Sequence, residues 1–130
     1  MSDKTVHGTQ EWILVNTDLF ERELKKFLKR FPRETKAVLE RLETYKESLN
    51  MCDEPQKVIF GWLHPEPLGV KAITQQGKGP SLKATRLYIY AEKETHKIRV
   101  ITIGDKKTQK EDIKICENYI KSLRNSKDFR

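Results

Sequence analysis

Long apolar runs are absent from this 130-residue sequence. No stretch can cross a bilayer as a helix, and Met1 is followed by Ser2, Asp3 and Lys4 rather than by the apolar core of a signal peptide. The expectation is a chain that stays in the cytoplasm and has no membrane partner. Cysteine is scarce too: Cys52 and Cys116 stand far apart and form no C-x-x-C pair, so no disulfide framework is built and both read as free thiols. His7, His64 and His96 lack metal-ligand spacing to one another or to the cysteines, and only long-range assembly would gather a metal site. No metal and no cofactor are expected. Internal repeats are missing, which excludes a solenoid.

What is present is polar but patterned. Apolar residues make up 36% of the chain and charged residues 35%, yet Leu, Ile, Val, Phe and Tyr fall in periodic runs, which argues against disorder. The length suits one domain with one modest core. The net charge of +7 is unevenly placed. Residues 1–65 hold 11 Lys and Arg against 11 Asp and Glu, whereas residues 66–130 hold 15 against 8. Positive charge gathered in one half suggests an anionic partner. The plain alternative is that these lysines only solvate a sheet face and a terminal helix.

Residues 11–16 (E-W-I-L-V-N) read as a first strand. Asp18 reads as an N-cap completed by Glu21 in a capping box, and Phe20, Leu24, Phe27, Leu28 and Phe31 then recur at helical spacing until Pro32. A second helix is expected over about 33–49, with Val38, Leu42, Tyr45 and Leu49 on one stripe, so the two form an antiparallel hairpin. Residues 50–67, with Pro55, Pro65 and Pro67, read as a connecting segment that covers the core with Phe60 and Trp62. A strand over 68–75 and a flexible turn over 76–81 follow. Residues 85–91 alternate strictly, with Arg86, Tyr88 and Tyr90 on one face and Leu87, Ile89 and Ala91 on the other. Residues 97–103 return as the next antiparallel strand, ended by Gly104. Thr108 and Glu111 read as a second capping box, opening a helix to about Leu123 with Ile113, Cys116, Ile120 and Leu123 on its buried stripe. The expected plan is therefore α+β, with a flexible lead over 1–10, one domain over 11–124 and a frayed tail over 125–130.

The chemistry concentrates where the last strand meets the last helix, at I-G-D-K-K-T-Q-K over 103–110. A helix N-terminus offers unpaired N–H groups and partial positive charge to a phosphate, and Lys106 and Lys107 add mobile cations. An ordinary strand-to-helix turn with lysines in water fits the same residues. Arg86 with Tyr88 and Tyr90 on one strand face forms a second candidate, since Arg forks onto phosphate oxygens and Tyr stacks on bases. Packing of the tyrosines beneath helices is the alternative there. Lys71, on the preceding strand, completes the group.

The element order, the phrase R-L-Y-I-Y over 86–90 and the phrase I-T-I-G-D-K-K-T-Q-K over 101–110 resemble the RelE/HigB/ParE toxin superfamily, especially phage-derived HigB-like members. The resemblance spans about 11–123, with motif-level detail over about 71–110. It implies a RelE-like fold: an N-terminal strand and two-helix hairpin packed on a three- to four-stranded antiparallel sheet, with a C-terminal helix. It also implies the toxin of a type II toxin–antitoxin pair, with a cognate antitoxin as partner. Many such toxins cut mRNA on the ribosome without a metal, by attack of the ribose 2′-OH on the adjacent phosphate. Carried over by position, Arg86 clamps the phosphate, Lys106 or Lys107 stabilises its charge, and Lys71 acts as base if neighbouring cations lower its pKa. Lys78, Lys83, Tyr88, Arg99 and Lys110 complete the expected RNA contacts. The sequence departs from the pattern in having no Tyr or His just beyond the basic exit, where residues 108–113 read T-Q-K-E-D-I. A ParE-like gyrase inhibitor and an inactive binding module are the other expectations.

Overall fold

The computed structural model describes residues 11–75 and 83–128, without the side chains of residues 127 and 128. In chain order the elements are β1 (Ile13–Asn16), α1 (Asp18–Arg30), α2 (Pro32–Cys52), β2 (Leu63–Pro65), β3 (Lys71–Gln75), β4 (Thr85–Glu92), β5 (Lys97–Asp105) and α3 (Gln109–Asp128). Single 3-10 turns at Pro55–Lys57 and Pro67–Gly69 flank β2. The expectations for residues 1–10, for the turn over 76–81 and for Lys78 lie outside the described residues.

The strands form one mixed sheet in the order β1-β5-β4-β3-β2. Three to four antiparallel strands were expected, and two differences account for the five. β1 joins the sheet parallel to β5, with Ile13 opposite Lys97 and Asn16 opposite Val100. β2 pairs antiparallel with β3 from inside the proline-rich connector, where Leu63 lies opposite Ile73. Its three residues, ended by Pro65, are too few to show an alternation in sequence.

The helical hairpin covers one face of the sheet and α3 the other. Phe20 of α1, the predicted stripe Val38, Leu42, Tyr45 and Leu49 of α2, and Ile73, Leu87, Ile89, Val100 and Ile103 form the larger core. Phe60 and Trp62, stacked with centroids 4.4 Å apart, pack against it as expected of a core cover. The smaller core, under α3, holds Val70, Ala72, Tyr88, Ile101, Cys116 and Ile120. Ile101 reaches that side because the β4–β5 register slips: Tyr88 faces Thr102 while Ile89 faces Val100, leaving Ile101 as a bulge.

The helix ends differ from expectation in detail. Thr17, not Asp18, caps α1, its Oγ1 accepting from the Phe20 N–H at 3.0 Å and donating to the Ile101 carbonyl at 2.7 Å. α2 starts on Pro32 itself, since proline at the first helical position removes only an N–H that would be unpaired anyway. α3 continues to Asp128, so residues 125–128, expected to fray, are helical. Among the described residues no helix is long and apolar enough to cross a membrane.

Candidate nucleic-acid interface

The turn between β5 and α3 is built around Asp105. Its Oδ1 accepts the backbone N–H groups of Lys107 at 2.9 Å and Thr108 at 3.1 Å, which folds the chain back and turns Lys106 and Lys107 to solvent. Burial alone would raise the Asp105 pKa; the Thr108 N–H and then Lys83 outweigh it, and the carboxyl sits below its usual value. Lys83 Nζ lies 3.4 Å from Asp105 Oδ2 and 5.2 Å from the centroid of the Phe31 ring. Lys83 N–H also donates to the buried Glu34 at 2.9 Å, fixing the entry to β4 against α2.

Thr108 departs from the expected capping box with Glu111. Its hydroxyl donates to Asp112 Oδ2 at 2.7 Å and accepts from the Asp105 N–H at 3.2 Å. Asp112 is buried against Gly104, where a Cβ would stand 1.9 Å from Asp112 Oδ2 and 2.6 Å from Thr108 Oγ1. Only glycine leaves room for that approach. Burial pushes the Asp112 carboxyl up; the Thr108 hydrogen bond opposes this, and the charges of Asp105, Glu23 and Glu111 add to it. A buried acid with a raised pKa beside a basic turn is the feature that sequence reasoning missed. Its only signal in the sequence was a D-I pair inside a helical stripe.

A cleft of about 510 Å³ opens at this point between α1 and α3. Leu19, Phe27, Phe31, Ile103 and Ile115 give it apolar walls, and Lys26, Arg30, Lys83 and Lys107 share its lining with the carboxylates Glu23, Asp105, Glu111 and Asp112.

The predicted residues divide into three groups. Lys83, Lys106, Lys107 and Lys110 come together around the turn and the first turn of α3, the last three exposed. Arg86 reaches the α3 face, where its guanidinium is 3.8 Å from Glu66 and only about a quarter exposed. Tyr88, on that same face, is completely buried with no hydrogen-bond partner for its hydroxyl, so no base stacks on it; burial and then the Asp112 charge raise its pKa. Arg99 pairs with the buried Glu92 at 3.0 Å and donates to Tyr119 Oη at 3.2 Å.

Lys71 is not brought to the turn. It lies opposite Ile89, whereas Arg86 lies opposite Thr74 and Gly104, and an odd register step puts the two side chains on opposite faces of the sheet. Its ammonium donates to the Pro55 carbonyl at 2.9 Å beside the Tyr45 ring. Its pKa is lowered by burial, not by neighbouring cations. Among the described residues, no three His, Cys, Asp or Glu side chains gather as a metal site requires, and Cys52 and Cys116 are free thiols. No protein-family model matches the sequence, and neither does any curated protein.

Proposed function

We propose that the chain is the toxin of a type II toxin–antitoxin pair, of RelE/HigB-like type, that cleaves mRNA on the ribosome without a metal. The observation that carries this reading is the meeting of three exposed lysines, Lys106, Lys107 and Lys110, with a buried carboxyl, Asp112, at one helix N-terminus, where burial pushes its pKa up. The lysines suit a phosphate and the charge that builds on it during in-line attack. As the 2′ oxygen bonds to phosphorus and the bond to the 5′ oxygen breaks, the leaving oxygen needs a proton. Asp112 is the group able to give it, in the neighbourhood where a Tyr or His stands in related toxins. The sequence of elements, strand, helical hairpin, antiparallel strands and final helix, agrees with this reading at the level of an α+β fold.

Cleavage of translated mRNA by the purified protein tests it. Asp112→Asn should lower cleavage by about 100-fold or more while leaving RNA affinity near that of the native chain, and Lys106→Ala/Lys107→Ala should weaken both. Absence of cleavage at a dose that arrests growth sinks the nuclease claim. A second reading, a binding module or gyrase inhibitor, is favoured by one observation: Arg86 and Arg99 are each engaged with a carboxylate. Growth arrest with intact transcripts and a DNA-damage response would support that reading instead.

A further inference from the structure

With Lys71 on the far side of the sheet, the proposed reaction still needs a group to take the proton of the attacking 2′-OH. The sheet register supplies one. His64 of β2 lies opposite Ala72, and Arg86 of β4 lies opposite Thr74. Ala72 and Thr74 are two apart on β3, so His64, Thr74 and Arg86 share one face, the face on which Ala72 packs under α3. Gly104, opposite Arg86 on β5, belongs to the same face, and Asp112 rests over it. His64 and Asp112 therefore stand on opposite sides of Arg86. Thr74 also selects the tautomer of His64. Its hydroxyl donates to the Trp62 carbonyl at 3.3 Å, which leaves its oxygen to accept from His64 Nε2 at 3.1 Å. That arrangement puts the ring proton on Nε2 and leaves Nδ1 as a bare, basic nitrogen.

Arg86 holds the ground between them. Its Nη1 is 3.8 Å from Glu66 Oε2, beyond hydrogen-bond length, and among the described residues none of its five N–H donors has an acceptor. A part-buried guanidinium with an unfilled fork suits a phosphate. We infer that the scissile phosphate sits on Arg86 and that His64 Nδ1 is the base that takes the proton of the attacking 2′-OH. Thr74, Arg86 and Gly104 are neighbours across the sheet, so the groups resting on the first and last stand about 10 Å apart, two strand spacings. An attacking and a leaving oxygen in line across phosphorus, each with a hydrogen bond of about 3 Å, span roughly that distance. In the step, the 2′ oxygen gives its proton to Nδ1 and bonds to phosphorus. The bond to the 5′ oxygen breaks, and that oxygen takes the proton of Asp112. A 2′,3′-cyclic phosphate and a 5′-hydroxyl result, and the imidazolium and the aspartate exchange the proton back through water.

This role for His64 rests on the ribonuclease reading proposed above. Glu66 is the rival base on the same face, but its carboxylate lies against Arg86, where an incoming phosphate would repel it.

The test is single-turnover cleavage of mRNA on programmed ribosomes by the full chain and its variants. His64→Gln keeps a donor in the place of Nε2, so the bond to Thr74 and the urea midpoint should survive while the basic nitrogen is lost. Cleavage should fall by about 100-fold or more, with RNA affinity near that of the native chain. An mRNA with sulfur in place of the 5′ bridging oxygen needs no acid to expel its leaving group. It should restore cleavage to Asp112→Asn and not to His64→Gln. Nitrogen NMR of the neutral imidazole should show the proton on Nε2. A His64→Gln rate near the native one, rescue of that variant by the sulfur substrate, RNA affinity lost together with the rate, or a neutral ring protonated on Nδ1 overturns the inference. So does a loss confined to Glu66→Gln, which would make Glu66 the base. In each of these cases the native chain still cleaves and the ribonuclease reading stands. A native chain that cleaves nothing rejects that reading and the role of His64 with it.

Discussion

Thr108 Oγ1 donates to Asp112 Oδ2 at 2.7 Å directly over Gly104, so the hydrogen bond that closes the start of α3 occupies the space a side chain at Gly104 in β5 would need. Gly104→Ala would drive a methyl into that bond. Because Asp112 is buried and short, it must rotate away and lose Thr108. The expected cost is about 1–3 kcal/mol, seen as a lower urea midpoint with an unchanged slope. Adding Asp112→Ala should recover part of the loss, and a double-mutant cycle showing strict additivity would contradict the contact.

Asp112 sets a pH dependence of its own. An acid whose folded-state pKa lies above its unfolded value holds its proton more tightly when folded. It therefore costs stability in full above the folded pKa, and the cost disappears as pH falls toward the unfolded value of about 3.9. Burial is the main cause here, with Asp105, Glu23 and Glu111 adding like charge. Asp112→Asn should be more stable than the native chain at pH 7, with the gap closing as pH is lowered toward 4, about the unfolded Asp pKa. Urea melts at several pH values check this. An Asn variant less stable at neutral pH would mean that the carboxylate is stabilised by contacts other than those seen.

Periodicity made most of the fold legible. The stripes of α2 and α3 and the alternation of β4 report burial on one side, and Val38, Leu42, Tyr45, Leu49, Cys116 and Ile120 are buried as their spacing demands. β2 left no pattern because it is three residues long between prolines, and the parallel pairing of β1 with β5 depends on residues some 84 positions apart. In the site, the exit turn with Lys106, Lys107 and Lys110 was readable because a strand end, a charge cluster and a helix start are all local signals. Lys71 misled because alternation shows that a residue faces one side of its strand without saying which side matches Arg86; that depends on the β3–β4 register. Asp112 was hidden because a polar residue beside a helical stripe looks like surface. Its burial follows from Gly104 lying beneath it.

At the opposite end of the sheet, Asp53 ties three segments together. Its Oδ1 accepts from Trp12 Nε1 at 3.1 Å and lies 2.9 Å from His96 Nε2, while Lys93 Nζ is 3.3 Å from Oδ2. Both Asp53 and His96 hold left-handed backbone, with φ of 58° and 55°. Burial opposes ionisation of Asp53, but Lys93, His96 and Trp12 together hold its pKa below the usual value. For an acid depressed in this way, the stabilisation is present above the unfolded pKa and is lost as pH falls through the folded one. Asp53→Asn, which tolerates the same backbone, should lower the urea midpoint at pH 7, and the difference should begin to shrink only as pH falls below about 4, the ordinary Asp range, and disappear as the lowered folded pKa is passed. A deficit that persists unchanged in acid would show that charge is not its source.

Salt dependence separates the lysines that meet an anion from the residues that only build the sheet. A cation that displaces a counterion from single-stranded RNA contributes about 0.7 to the slope of log affinity against log salt. Lys106→Ala and Lys107→Ala should each flatten that slope by about this amount, since both side chains are exposed at the turn. Lys71→Ala should leave it unchanged, because its ammonium is held on the other face by Pro55. Tyr88→Phe is the sharper control. Its hydroxyl is buried without a partner, so removing it should leave RNA affinity untouched and raise stability by up to about 1 kcal/mol. Fluorescence anisotropy with a short labelled RNA at several salt concentrations measures all four. A slope unaffected by the turn lysines but reduced by Lys71→Ala would move the anion site to the opposite face of the sheet.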